Sequence, residues 1–97
     1  MRPSEVLERK REAIREATRL HNAANPRVFG SVARGEDRTS SDLDILVDAL
    51  PGSSLFTLGG LQSALEHLAE GVPVHLVTTS EIPEKHRGRI LAEARPI

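Results

Sequence analysis

The sequence predicts an α/β (α+β) sandwich in which a small mixed sheet of three to four strands is flanked by helices. Stretches with helical spacing of apolar residues alternate along the chain with short runs of branched apolar residues. The segment joining the first two strand candidates is only about a dozen residues long, near the lower limit for a parallel crossover, so an antiparallel or mixed arrangement is expected. The 97 residues hold enough for one hydrophobic core, and residues 1–97 are read as a single domain.

From Ser4 to His21, the residues Val6, Leu7, Ile14, Ala17 and Leu20 form one apolar stripe, with Glu5 and Glu8 in the first turn where the helix dipole favours acids. "NAANP" is expected to end this helix, because Pro26 restricts Asn25 and lacks an N–H. "RVFG" then reads as a short strand, Ser31 to Glu36 as one or two helical turns, and "DRTSS" as loop. "DLDILVDA" is rich in branched residues and reads as a buried strand. Beyond the break at "LPGSS", Leu58, Leu61, Leu65 and Leu68 mark a helix from Leu55 to Glu70, weakened by Gly59 and Gly60 and stopped by Gly71. "VPVHLVTT" is the third strand. Ser80 is expected to cap a last helix from about Pro83 to Ala94, and "RPI" to add an edge strand.

Composition narrows the function. Thirteen Lys and Arg against fourteen Asp and Glu give a net charge of -1, which offers no general attraction to nucleic acid or anionic lipid. With no Tyr or Trp and two Phe, platforms for stacking unpaired bases are missing. The absence of Cys excludes disulfides, thiolate nucleophiles and cysteine zinc sites and fits a reducing cytoplasm. No run is long enough for a membrane-spanning helix, and the start of the chain is not signal-like, so a cytoplasmic location is expected.

The chemistry concentrates in "FGSVARGEDRTSSDLDILV". Gly30 and Gly35 have P-loop spacing, but Glu36 and Asp37 stand where a lysine and a hydroxyl should follow. Asp42-Leu43-Asp44 begins like a calcium loop, yet Leu46 occupies the third ligand position. The dinucleotide fingerprint is absent. Ser41 followed by the acids also fits a helix start, with both aspartates in its first turn. On a strand, in contrast, Asp42 and Asp44 point to one face as a carboxylate pair that needs a counterion. A divalent cation answers that need, and Mg²⁺ takes one or two carboxylates together with water and phosphate oxygens. Gly30 lets a phosphate approach the backbone, and Ser31 at the head of a helical turn offers a hydroxyl and free N–H groups. These parts suit a nucleoside triphosphate with Mg²⁺.

Gly30-Ser31, ten intervening residues and Asp42-Leu43-Asp44 resemble the G-S-x(10)-D-x-D signature of the polymerase-beta-like nucleotidyltransferase superfamily. The longer "FGSVARGE…SDLDILV" is similar to its minimal nucleotidyltransferase family, the antitoxin halves of two-gene modules whose toxins are HEPN ribonucleases. The resemblance implies a nucleotidyltransferase fold, ATP as donor, Mg²⁺, and transfer of AMP to a tyrosine of the partner toxin. It implies further that Gly30 and Ser31 hold the triphosphate and that Asp42 and Asp44 hold metal. Arg34 either contacts phosphate or pairs with Glu36 or another acid.

Family members read V-D-L-V on the strand that supplies a third acid, and this chain has Val74-His75-Leu76-Val77. The match puts His75 in that acid's place. Imidazole binds Mn²⁺ more readily than Mg²⁺ and can act as a general base; the alternative is a strand histidine with a hydrogen-bond partner and no catalytic duty. Two functions follow: an adenylyltransferase, weakened or not, and an antitoxin that neutralises its toxin by binding alone. His21, His67 and His86 are expected at the surface, and Asp48 is a peripheral acid.

Overall fold

The computed structural model describes residues 1–97. Helix α1 covers Pro3–Leu20, strand β1 Ala23–Phe29, the single turn α2 Gly30–Ala33, and strand β2 Leu43–Ala49. Helix α3 follows at Leu55–Leu68, then β3 at Val74–Thr78, a 3-10 turn at Thr79–Glu81, α4 at Glu84–Glu93 and β4 at Arg95–Pro96. The sheet order is β3-β2-β1-β4; β1 runs antiparallel to β2 and β4, and β2 and β3 are parallel. The expected mixed sheet, including its "RPI" edge strand, is therefore present.

Strand parity divides the molecule into two faces. Leu43, Ile45 and Val47 of β2 are fully buried against Val6, Ile14, Leu61 and Leu65 of α1 and α3, forming the main core. The alternate residues Asp44, Leu46 and Asp48 point to the opposite face, where Leu46 packs with Phe29 and Ile82 and with Ile90 and Ala94 of the α4 region. Four fully buried β2 side chains explain why this run is a strand and why the helix-start alternative at Ser41 fails: as a helix it would carry Asp42 and Asp44 away from this register.

The first helix is anchored from a distance. Pro3 occupies its first turn, where its missing N–H costs nothing. The Asp37 carboxylate accepts the Ser4 N–H at 2.9 Å, and that of Glu5 accepts the Arg2 N–H at 3.0 Å. Burial opposes ionisation of Asp37, but its hydrogen bonds from Ser4, aided by the charge of Arg2, hold the carboxyl below its ordinary value.

Three sequence expectations need correction. "NAANP" does end α1, but β1 already starts at Ala23 and runs through Pro26. It does so because the ladder is irregular between Ala24 and Arg27, with Asn25 at a φ of 52°, so the proline sits where no N–H is required. Ser80 does not cap α4: it lies in the 3-10 turn, where the Glu81 carboxylate takes the Thr78 N–H, and α4 begins after Pro83. His21 is not a free surface side chain. Its ring bonds the Ala17 carbonyl at 2.6 Å and presses on α3, where a Cβ on Gly60 would meet it at 2.9 Å. Gly60 thus weakens α3 intrinsically but permits the close approach of α1, while Leu61 and Leu65 keep the helix continuous.

Candidate functional site

A cleft of about 450 Å³ opens on the face opposite the main core. Gly30, Ser31 and Arg34 from α2 and its following turn, Asp42 and Asp44 at the head of β2, and Glu93 from α4 contribute its chemistry. Asp42 immediately precedes β2 and Asp44 is its second residue, so the parity expected from the sequence does bring both acids to the cavity that holds Ser31.

Gly30 is the point of closest approach. Its φ is 70°, and a Cβ there would lie 2.1 Å from Asp44 Oδ2. Any side chain would be strained twice, by the left-handed backbone and by overlap with the carboxylate. The Gly-Ser turn is consequently pressed against Asp44, where a larger residue would hold it off.

The two oxygens of Asp44 serve different neighbours. Oδ2 faces Gly30, while Oδ1 lies 3.2 Å from His75 Nδ1 on the adjacent parallel strand. Burial pushes the Asp44 carboxyl above the ordinary aspartate value; the hydrogen bond and charge of His75 pull it back, and the negative charge of Asp42 adds to the rise. Three carboxylates, Asp42, Asp44 and Glu93, share the cleft with two guanidinium groups, Arg34 and Arg89. A half-desolvated carboxylate beside a second one is a donor set that a hard divalent cation neutralises, so these residues fit Mg²⁺.

His75 stands beside this cleft rather than within its lining. It borders a second, apolar cavity of about 260 Å³ with Phe29, Leu76, Val77, Ile82 and Ile90. Its ring lies 6.2 Å from that of Phe29 at 58°. The register pairs Asp44 directly with His75 across the two parallel strands. The polar and apolar cavities meet at the Asp44–His75 pair.

Arg34 is held by acids: its Nε donates to Glu36 at 2.7 Å and an Nη to Glu93 at 3.1 Å. Asp48, farther along β2, pairs with Asn25 and Arg27 and is absent from the cleft; the hydrogen bond from Asn25 and the pairing with Arg27 keep its carboxyl below its ordinary value. His67 is exposed and His86 half-buried, and neither reaches the site. Sequence reasoning missed Glu93 and Arg89. Glu93 accepts the Gly30 N–H at 2.6 Å across 63 positions of chain, and no local motif marks such a contact.

Comparisons with known proteins identify the family. Residues 7–97 match the family model described as "Nucleotidyltransferase domain". The chain is 39% identical over 74 residues to "Putative protein adenylyltransferase MJ0435" of Methanocaldococcus jannaschii, covering 76% of this chain and 78% of that protein. It is 35% identical over 78 residues to "Putative protein adenylyltransferase MJ1217" of the same organism, covering 80% and 76%. Among solved structures it is similar to one described as "Structure of putative minimal nucleotidyltransferase", with a TM-score of 0.86, 42% identity, and 97% and 95% of the two chains covered.

Proposed function

This chain belongs to the nucleotidyltransferase domain family, and from that premise we propose that it transfers AMP from ATP to a tyrosine hydroxyl of a cognate HEPN ribonuclease toxin. The observation that carries the reading is the contact between Gly30 and Asp44. It supports a phosphate-binding role for the Gly30–Ser31 turn and a metal-binding role for the acids, because Asp44 packs directly against that turn. The names of the archaeal relatives as protein adenylyltransferases favour a protein acceptor. These 97 residues contain no tyrosine, so a tyrosine acceptor lies outside them.

In this reading the Ser31 hydroxyl and the backbone N–H groups of the Gly30–Ser31 turn orient the phosphates, and Arg34 adds positive charge. Asp42 and Asp44 would hold Mg²⁺, or Mn²⁺ given the neighbouring imidazole, and the ion supplies charge neutralisation at the phosphate oxygens. The acceptor phenol enters through the apolar cavity beside Phe29 and Ile82. Its oxygen forms a bond to the α-phosphorus as the bond to the β-phosphate oxygen breaks, releasing pyrophosphate. The phenolic proton passes to His75: with Nδ1–H donated to Asp44 Oδ1, its Nε2 presents a lone pair.

The test is incubation of the protein with ATP labelled on the adenine or α-phosphate and with the toxin encoded beside it. Label on a toxin tyrosine supports the transferase. A stable complex with no label supports the second reading, a binding-only antitoxin, which the histidine rather than a carboxylate paired with Asp44 favours.

A further inference from the structure

Glu93 engages the group that a phosphate needs. Its Oε2 accepts the Gly30 N–H at 2.6 Å, and the same carboxylate binds an Arg34 Nη at 3.1 Å and lies 3.8 Å from Arg89. The side chain is 16% exposed and turned into the cleft rather than toward water, although Asp42 and Asp44 already give that cleft negative charge. Carboxylate and phosphate oxygens are both charged acceptors with the same preferred donors: a backbone N–H with nothing to block the approach, and a guanidinium fork. The Gly30 N–H has one proton and cannot serve two anions at this distance.

We propose that Glu93 is an internal stand-in for a phosphate group, which a nucleotide's polyphosphate must displace from Gly30 and Arg34 in order to bind. This inference rests on the nucleotide reading of the cleft and adds to it a residue that sets ligand selectivity. Displacement releases Arg34 to the ligand and leaves the Glu93 charge next to it. A chain of phosphates with several charges, balanced by a cation, overcomes that repulsion. A ligand that does not reach the Gly30 N–H gains nothing from the exchange and is indifferent to Glu93.

Calorimetric titration of wild type, Glu93→Ala and Glu93→Gln with ATP, inorganic tripolyphosphate and adenosine, each with Mg²⁺, tests the idea. Removing a charge-assisted competitor should tighten ATP and tripolyphosphate binding about tenfold in Glu93→Ala. Glu93→Gln, which keeps an acceptor for Gly30 but not the charge, should fall between it and wild type, and adenosine binding should not change. Glu93→Gln also covers the case in which the alanine variant loses its α2–α4 contact and melts. In the wild type, tripolyphosphate should shift the Gly30 amide resonance. Wild type that binds tripolyphosphate as tightly as both variants do, or more tightly, overturns the role of Glu93 alone. Failure of all three proteins to bind ATP and tripolyphosphate removes the nucleotide reading and this inference with it.

Discussion

Asp44 and His75 are direct partners in the parallel β2–β3 register, and their side chains meet with Oδ1 and Nδ1 3.2 Å apart. This pair connects the polar cleft that holds Gly30 and Ser31 to the apolar cavity lined by Phe29 and Ile82. A histidine here brings no fixed negative charge, so Asp44 and Asp42 are the only carboxylates on the two strand heads, and on the proposed reading the imidazole takes the acceptor's proton.

His75→Ala should therefore lower AMP transfer about a hundredfold, the usual loss when a general base is removed. His75→Asp places a carboxylate opposite Asp44 and, on the proposed reading, should transfer at least as fast as wild type. It should melt lower without metal, because a third carboxylate faces Asp44, and gain more from added Mg²⁺ than wild type gains. Thermal melts with and without Mg²⁺ separate these effects from activity; an unaltered response to Mg²⁺ would remove position 75 from the metal site.

Asp44→Asn should stabilise the ligand-free protein while removing metal-dependent ATP binding. The Asp44 carboxyl is raised, chiefly by burial, so its ionised form costs stability above the folded-state value. The advantage of the variant is then present at neutral pH and shrinks as pH falls through the raised value toward the ordinary 3.8. Urea unfolding of both proteins across that range measures it, and a variant less stable than wild type at pH 7 would contradict a burial cost of the ionised Asp44.

Gly30→Ala and Gly35→Ala form a matched pair. Both glycines have left-handed φ, 70° and 72°, but a Cβ at Gly35 meets nothing within 4 Å, whereas at Gly30 it overlaps Asp44. Gly35→Ala should cost about 1 kcal/mol through its backbone alone, and Gly30→Ala about 2–4 kcal/mol as the overlap adds to it. Equal shifts in the urea midpoint would mean that the Gly-Ser turn relaxes away from the acid at no cost.

Asp37→Ala should destabilise the fold by about 1 kcal/mol by removing the acceptor for the Ser4 N–H at the start of α1. Because that carboxyl is held below its ordinary value of 3.8, its contribution is complete above that value and is lost as pH falls through the lower folded-state one. The difference between wild type and variant should accordingly vanish in strong acid.

Most of the architecture was legible in local patterns. The apolar stripe of α1, the branched run at Leu43–Val47 and the leucines of α3 each match one backbone period, and burial of those residues is what orders the elements. The Gly30-Ser31 and Asp42-Asp44 spacings were legible too, because a strand's alternation and a glycine's missing Cβ are local properties. Where local signals misled, tertiary contacts had overridden them. A bulge carried β1 through Pro26, a 3-10 turn closed by Glu81 took up Ser80 and left α4 to start after Pro83, and His21 packed against α3.

Residue types and their periods were thus enough to specify a small mixed sheet and a pair of acids beside a Gly-Ser turn, since each depends on neighbours a few positions away. The chain alone does not show that Oδ1 of Asp44 belongs to His75 and Oδ2 to Gly30, or that Glu93 closes on the Gly30 N–H from 63 residues away. Those contacts follow from how β3 registers against β2 and how α4 packs over the sheet. They are set by the summed burial of residues such as Leu46, Ile82 and Ile90 on the α4 side of the sheet.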